Sequence, residues 1–126
     1  MPQRKKRIIQ AGSGGDTAEL ARHREDLMRP WPTLGYDRDS VAMHLISREA
    51  FQVAESELLR AVWLNPYEPR FKVHLAWCLY QQKRYPEAHK WMAEVPESCM
   101  TEQVRNIKRW IEEAVSDKSE EGYGAL

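Results

Sequence analysis

What this chain has little of narrows its function first. Cysteine occurs only at Cys78 and Cys99. Two cysteines cannot build the disulfide framework of a small secreted domain, and they fit a reducing, cytoplasmic setting. Net charge is lacking as well, because 19 Lys and Arg balance 19 Asp and Glu. That balance argues against a globally basic nucleic-acid binder and against a strongly acidic solvating chain. No run approaches the roughly 18 apolar residues of a membrane-crossing helix, so no membrane span is expected. No apolar stretch follows the basic N-terminus, which argues against export by a signal peptide. Nothing reads as a strand.

The signatures of chemistry are sparse too. His23, His44, His74 and His89 show no metal-ligand spacing on one helix face, and no Cys-x-x-Cys is present. No metal and no cofactor are expected. Cys78 stands among apolar neighbours and reads as a small core or groove residue rather than a nucleophile. Gly12-Ser13-Gly14-Gly15 is followed by Asp16 and not by Lys-Ser/Thr. It is a linker, not a phosphate loop. Glu112 and Glu113 are adjacent, so a helix points them in different directions. No catalytic constellation emerges, and the expectation is that the protein is not an enzyme.

What is there is helical pattern, in a chain of 126 residues that is 42% apolar. That length suits one domain. Residues 1–15 read as a flexible basic tail carrying Arg4, Lys5, Lys6 and Arg7, the one charge cluster. Residues 16–34 read as a helix from Thr17 to Met28, capped by Asp16, then a linker around Trp31. Pro30 and Pro32 force that linker into an extended path. From Ser40 the apolar spacing is continuous. One run holds Val41, Ala42, Leu45 and Ile46. A second holds Phe51, Ala54, Leu58, Ala61, Val62 and Leu64 and stops at Asn65-Pro66. A third holds Phe71, Leu75, Ala76, Cys78 and Leu79. A fourth holds Tyr85, Ala88, Trp91, Met92 and Val95. A last helix over Thr101–Ser116 is marked by Val104, Ile107, Ile111, Ala114 and Val115, and it caps a domain over residues 35–116. Residues 117–126 read as a disordered C-terminal tail. The class is all-α.

Shifted against itself by 34 positions, the chain superposes Val41 on Leu75, Ala42 on Ala76 and Leu45 on Leu79. The same shift places Phe51 on Tyr85, Ala54 on Ala88, Leu58 on Met92 and Ala61 on Val95. These columns, and the ending Ala61-Val62-Trp63-Leu64-Asn65-Pro66, resemble the tetratricopeptide repeat, whose period is 34 residues. The resemblance covers residues 35–102, as two repeats. It departs where Arg38 and Lys72 stand in the leading aromatic column, and where Met100 replaces the second closing proline. Trp110 also falls where a third repeat would need a small residue. The alanines are small where antiparallel helices press closest, and stacked helix pairs then form an α-solenoid. Two repeats are fewer than the roughly three usually needed, so the flanking helices or a partner must supply the missing burial.

The resemblance implies a concave groove lined by the first helix of each pair. Its residues would be Tyr36, Asp39, Met43 and Ile46, then Arg70, Val73, Trp77, Tyr80 and Gln81. Family members that grip a chaperone's C-terminal carboxylate use Lys, Arg and Asn there. Here Asp39, Met43, Val73 and Trp77 stand in those columns, so that clamp is absent and the surface is aromatic and apolar. Such a groove suits an apolar peptide or an amphipathic helix of a protein partner. The chain's own Trp31-Pro32 segment or N-terminal helix is the competing occupant. Trp63 and Trp91 would face outward as a second contact surface. The expected function is a non-catalytic protein–protein interaction module, an adaptor or accessory subunit. Two alternatives stand beside it. Pro69-Arg70-Phe71 through Cys78-Leu79 and Ala88 is similar to a stretch of the type III secretion translocator chaperones, which implies a client protein. The Arg4–Arg7 run would instead carry nucleic-acid or ribosome association.

Overall fold

The computed structural model describes residues 17–124, with side chains through residue 117. The described residues are helical and contain no strand. Helix α1 covers 17–28. It is followed by α2 (Tyr36–Ser47), α3 (Phe51–Leu64), α4 (Pro69–Gln81), α5 (Tyr85–Ala93), a short 3-10 turn (Glu97–Cys99) and α6 (Glu102–Gly124). Each helix from α2 onward packs on the next in the chain, and α4 also touches α2 and α6.

Local chemistry accounts for the breaks. Gly35 caps the start of α2 at φ +93°, a backbone setting that glycine adopts freely. A Cβ there would stand 2.7 Å from Phe71 Cε2 and 3.1 Å from the Ala61 carbonyl oxygen. Helix α3 stops at Asn65, whose side chain is buried at 1% exposure. The Asn65 amide donates to the carbonyls of Pro32 and Leu34, and its oxygen accepts from the Tyr67 N–H. This one side chain therefore pins the linker that precedes α2 to the end of α3. Helix α4 opens on Pro69 in its first turn, with the Glu68 carboxylate accepting from the Arg70 N–H.

The 34-residue period extends to the backbone. The α2–α3 turn places Glu49 at φ 62° and the α4–α5 turn places Lys83 at φ 63°. Around them the same bonds recur: Ala50 N–H to Leu45 O, and Arg84 N–H to Leu79 O. Ala42, Ala54, Ala76 and Ala88 are all 0% exposed, as small residues at closest helix contacts should be. Leu58, Leu75, Leu79 and Met92 fill the remaining core. The two departures in the leading aromatic column have an electrostatic explanation. Arg38 reaches Glu57 at 3.2 Å and Lys72 reaches Glu94 at 3.1 Å, so each cation ties the first helix of a pair to the second, at the middle of α3 in one case and just past the end of α5 in the other.

Three expectations need adjusting. Helix α1 supplies little apolar burial: Leu20, Leu27 and Met28 are 58%, 72% and 54% exposed. It is docked by charge instead, because its C-terminal carboxylates meet two arginines of the hairpin. Second, α6 continues to Gly124, beyond the expected end at Ser116 and into the segment read as a tail. No proline or glycine interrupts residues 117–121, so the helix outlasts its apolar stripe. Third, Val41 is 50% exposed although its repeat partner Leu75 is fully buried. Helix α4 has α3 packed before it, whereas α2 has only α1. The basic tail with Arg4, Lys5, Lys6 and Arg7 lies outside the described residues.

Candidate binding groove along the central helix

Helix α4 is buried on most of its circumference, through Phe71, Val73, Leu75, Ala76, Cys78 and Leu79. One stripe is more accessible, spaced at helical intervals: Arg70, His74, Trp77 and Tyr80, with the buried Val73 beside it. Facing it is a stripe of α6, from Val104 through Ile107 and Trp110 to Ala114. Three contiguous depressions lie along this seam. The lower one, about 340 Å³, is lined by Glu68, Pro69, Arg70, Val73, His74, Cys99, Thr101 and Val104. The middle one, about 450 Å³, adds Met43, Trp77, Gln103, Asn106, Ile107 and Trp110. The upper one, about 440 Å³, is lined by Tyr80, Lys83, Tyr85, Trp110, Glu113, Ala114 and Asp117.

An aromatic row gives the groove its rigid wall. Trp77 stacks on Tyr80 with centroids 5.7 Å apart, and Trp110 lies 6.2 Å from Trp77. Tyr80 meets Tyr85 at 5.5 Å and 51°. Below this row, His74 Nδ1 lies 2.6 Å from Asp39 Oδ1. The pair bridges α2 and α4 and holds the imidazole at the junction of the lower and middle depressions.

The expected groove residues therefore divide. Met43, Val73 and Trp77 meet in the middle depression, Arg70 lines the lower one and Tyr80 the upper one. Asp39 is only 6% exposed and faces His74 rather than open groove. Ile46 belongs to the core. Tyr36 sits at the other end, its hydroxyl donating to Glu68 at 2.9 Å and its ring edge-on to Phe71. That hydrogen bond to the carboxylate holds the phenol above its usual pKa of 10.0. Gln81 is half-buried at the end of α4 and lines none of the three depressions. His74, Ile107 and Trp110 were missed as groove residues. A helix carrying both Ile111 and Trp110 as large apolar residues has an arc too wide for one buried face, and that arc was the available signal.

The two outer tryptophans separate as well. Trp91 is half-buried against the core cluster. Trp63 stays 42% exposed, with the guanidinium groups of Arg29 and Arg60 at 4.0 Å and 4.7 Å from its ring centroid. Neither the Trp31-Pro32 segment nor α1 lines the three depressions along α4; the neighbour that narrows them is α6.

Among the described residues no cluster of three or more His, Cys, Asp and Glu could hold a metal ion. No helix of the described residues is long and apolar enough to cross a membrane. Burial, with the nearby Glu55 charge, pushes the Cys78 thiol up to about 11. The thiol donates to the Phe51 carbonyl. Chemically, the described lining of the groove offers apolar and aromatic surface, the His74 imidazole, the carboxylates of Glu68, Glu113 and Asp117, and the cations Arg70 and Lys83. The chain matches no family model, no curated protein and no solved structure.

Proposed function

We propose that this protein is a non-catalytic interaction module, a small tetratricopeptide-like α-solenoid that binds a segment of one protein partner along α4. The observation that supports this most is the continuous groove between the stripes of α4 and α6, with its row of four aromatic rings. Rigid aromatic side chains in a concave site bury large area at small entropic cost, which is how binding hot spots are built. The 34-residue match of both turns and of the four buried alanines supports the repeat assignment. An extended or helical peptide with an apolar anchor over Val73, Val104 and Ile107 suits the middle depression.

The decisive experiment is affinity purification of the full chain followed by measured binding of the recovered partner to variants. Trp77→Ala and Tyr80→Ala should each cost at least about 2 kcal/mol of binding, while Trp63→Ala, on the opposite end, should leave affinity unchanged. Normal binding by both groove variants would remove the groove as the site.

A further inference from the structure

The upper depression differs in kind from the two below it. Tyr80, Tyr85 and Trp110 supply three ring surfaces, and Glu113 and Asp117 supply two carboxylates beside them. Trp110, Glu113, Ala114 and Asp117 follow one another at helical spacing on α6, so the indole and both acids belong to a single stripe of that helix. The rings are set at angles: Tyr80 and Tyr85 are inclined at 51°, and Tyr80 is nearly parallel to Trp77 at 18°. Ring faces are electronegative, and a cation over them is attracted by the ring quadrupole. Carboxylates beside such faces add charge and a planar acceptor pair.

The protein builds this combination elsewhere from its own residues. Over Trp63, Arg60 places its guanidinium 4.7 Å from the ring centroid and reaches Asp26 at 2.7 Å and Glu25 at 3.3 Å. There, one indole and two carboxylates hold the Arg60 guanidinium, with Arg29 4.0 Å from the same ring centroid and Arg38 sharing Glu25. At the upper depression the same acceptor set recurs with two further rings. No arginine is among the described residues that line it. Among the described residues, Lys83 is the one cation on its wall, against two carboxylates.

We propose that the upper depression is a recognition site for an arginine side chain of the bound partner. The planar guanidinium stacks on the ring faces and forks its N–H donors toward Glu113 and Asp117. The volume, about 440 Å³, leaves room for the head group and part of its stem. The partner segment then reads as an apolar anchor in the middle depression with a basic residue displaced toward the C-terminal end of α4. The assignment of this cation to a protein partner rests on the function proposed above; the site itself does not, and free probes test it separately.

The experiment is titration of the full chain with Nα-acetyl-arginine methylamide, followed through the Trp110 indole signal in 1H–15N spectra, with the citrulline analogue as the neutral isostere. The expected result is a saturable Trp110 shift with the arginine compound and none with citrulline. A parallel titration with Nα-acetyl-lysine methylamide should bind more weakly, since a compact ammonium cannot stack. The double variant Glu113→Gln/Asp117→Asn changes only exposed side chains and keeps the fold. It should weaken the arginine probe by about tenfold, and Tyr85→Ala, checked for helicity by circular dichroism, by a similar factor. Lys83→Gln should tighten it by about twofold, because an opposing charge is removed. No saturable shift, an equal shift with citrulline, or undiminished binding by the double variant would each overturn the site. If the probe binds but the partner of the groove needs no arginine, the site stands and only its assignment to that partner falls.

Discussion

At one end of the molecule α1 lies on the α2–α3 hairpin through Glu25 and Asp26, with Leu20, Leu27 and Met28 turned outward. At the other end α6 lies on α5 and α4 through Ile111, which is 0% exposed, and through Val104, Ile107 and Val115 against the core. Both are flanking helices on the same pair of hairpins, yet one is held by charge and the other by apolar area. Charge docking is directional, soluble and weak, since partly exposed ion pairs contribute little and salt screens them. Apolar docking is strong and indifferent to salt. Helix α6 therefore belongs to the folded unit and can serve as a permanent wall of the groove. Helix α1 is therefore expected to detach while the two hairpins and α6 stay folded.

The comparison breaks most visibly at Ile111. Ile111→Ala removes a fully buried side chain and leaves a cavity, so global stability should fall by about 2–5 kcal/mol in urea unfolding. The groove should lose its α6 wall along with that stability. A loss under about 1 kcal/mol would mean that α6 is held no better than α1.

Ala88→Leu asks whether the hairpins between the two ends are as tightly packed as the repeat requires. Ala88 is 0% exposed on α5, and added methylenes there should cost about 1–3 kcal/mol through overpacking. Ala54→Leu on α3 should cost a similar amount, because the two positions are 34 residues apart and equally buried. A neutral result at both would undo the register.

Asn65→Ala tests what anchors the α1 end apart from its ion pairs. The substitution leaves the Pro32 and Leu34 carbonyls and the Tyr67 N–H without their partner, at a cost of about 1–3 kcal/mol. Faster amide exchange should be confined to the 29–36 linker and α1. Loss of protection throughout α3 and α4 instead would show that the linker is integral to the core.

The pairing of helices was legible because the repeat is carried by residue size. Four small residues at one spacing and large ones beside them admit few packings, and the turn at Glu49 reappears at Lys83 with the same backbone. The docking of α1 was not legible. Its apolar marks at Leu20, Leu27 and Met28 suggest a buried face, but the decisive groups are Glu25 and Asp26, which look like ordinary surface acids until Arg38 and Arg60 are brought opposite them. Arg38 is the instructive residue: as a departure from an aromatic column it reads as a defect, whereas in the fold it joins Glu25 on α1 to Glu57 on α3. Half of the groove was visible for a similar reason. Met43, Val73 and Trp77 follow from their repeat columns, but Ile107 and Trp110 lie on α6, where no column assigns a facing helix.

The smallest effect expected is also the one that isolates the charge-held end. Burial acts to raise the Glu25 pKa, but the hydrogen bonds and charges of Arg38 and Arg60 outweigh it and hold the carboxyl below its ordinary value of 4.5. A group whose folded pKa is depressed stabilises above its free value, and that contribution is lost as pH falls through the folded one. Helix α1 should therefore stay docked at neutral pH and come free as the medium is acidified below about 4.5, while α6 remains in place. The Trp63 indole signal reports the event, since Arg29 leaves the ring when α1 departs and Arg60, which shares α3 with Trp63, loses its Glu25 and Asp26 partners. Raising salt to about 1 M, where screening acts within roughly 3 Å, should loosen α1 at neutral pH as well. Glu25→Gln should cost only about 0.2–1 kcal/mol and should remove most of the acid sensitivity of the Trp63 signal. If Trp110 and Trp63 respond together to acid or salt, the two ends are coupled and the distinction between them fails. If Trp63 responds alone, the groove is built on the two hairpins and α6, with α1 free to leave.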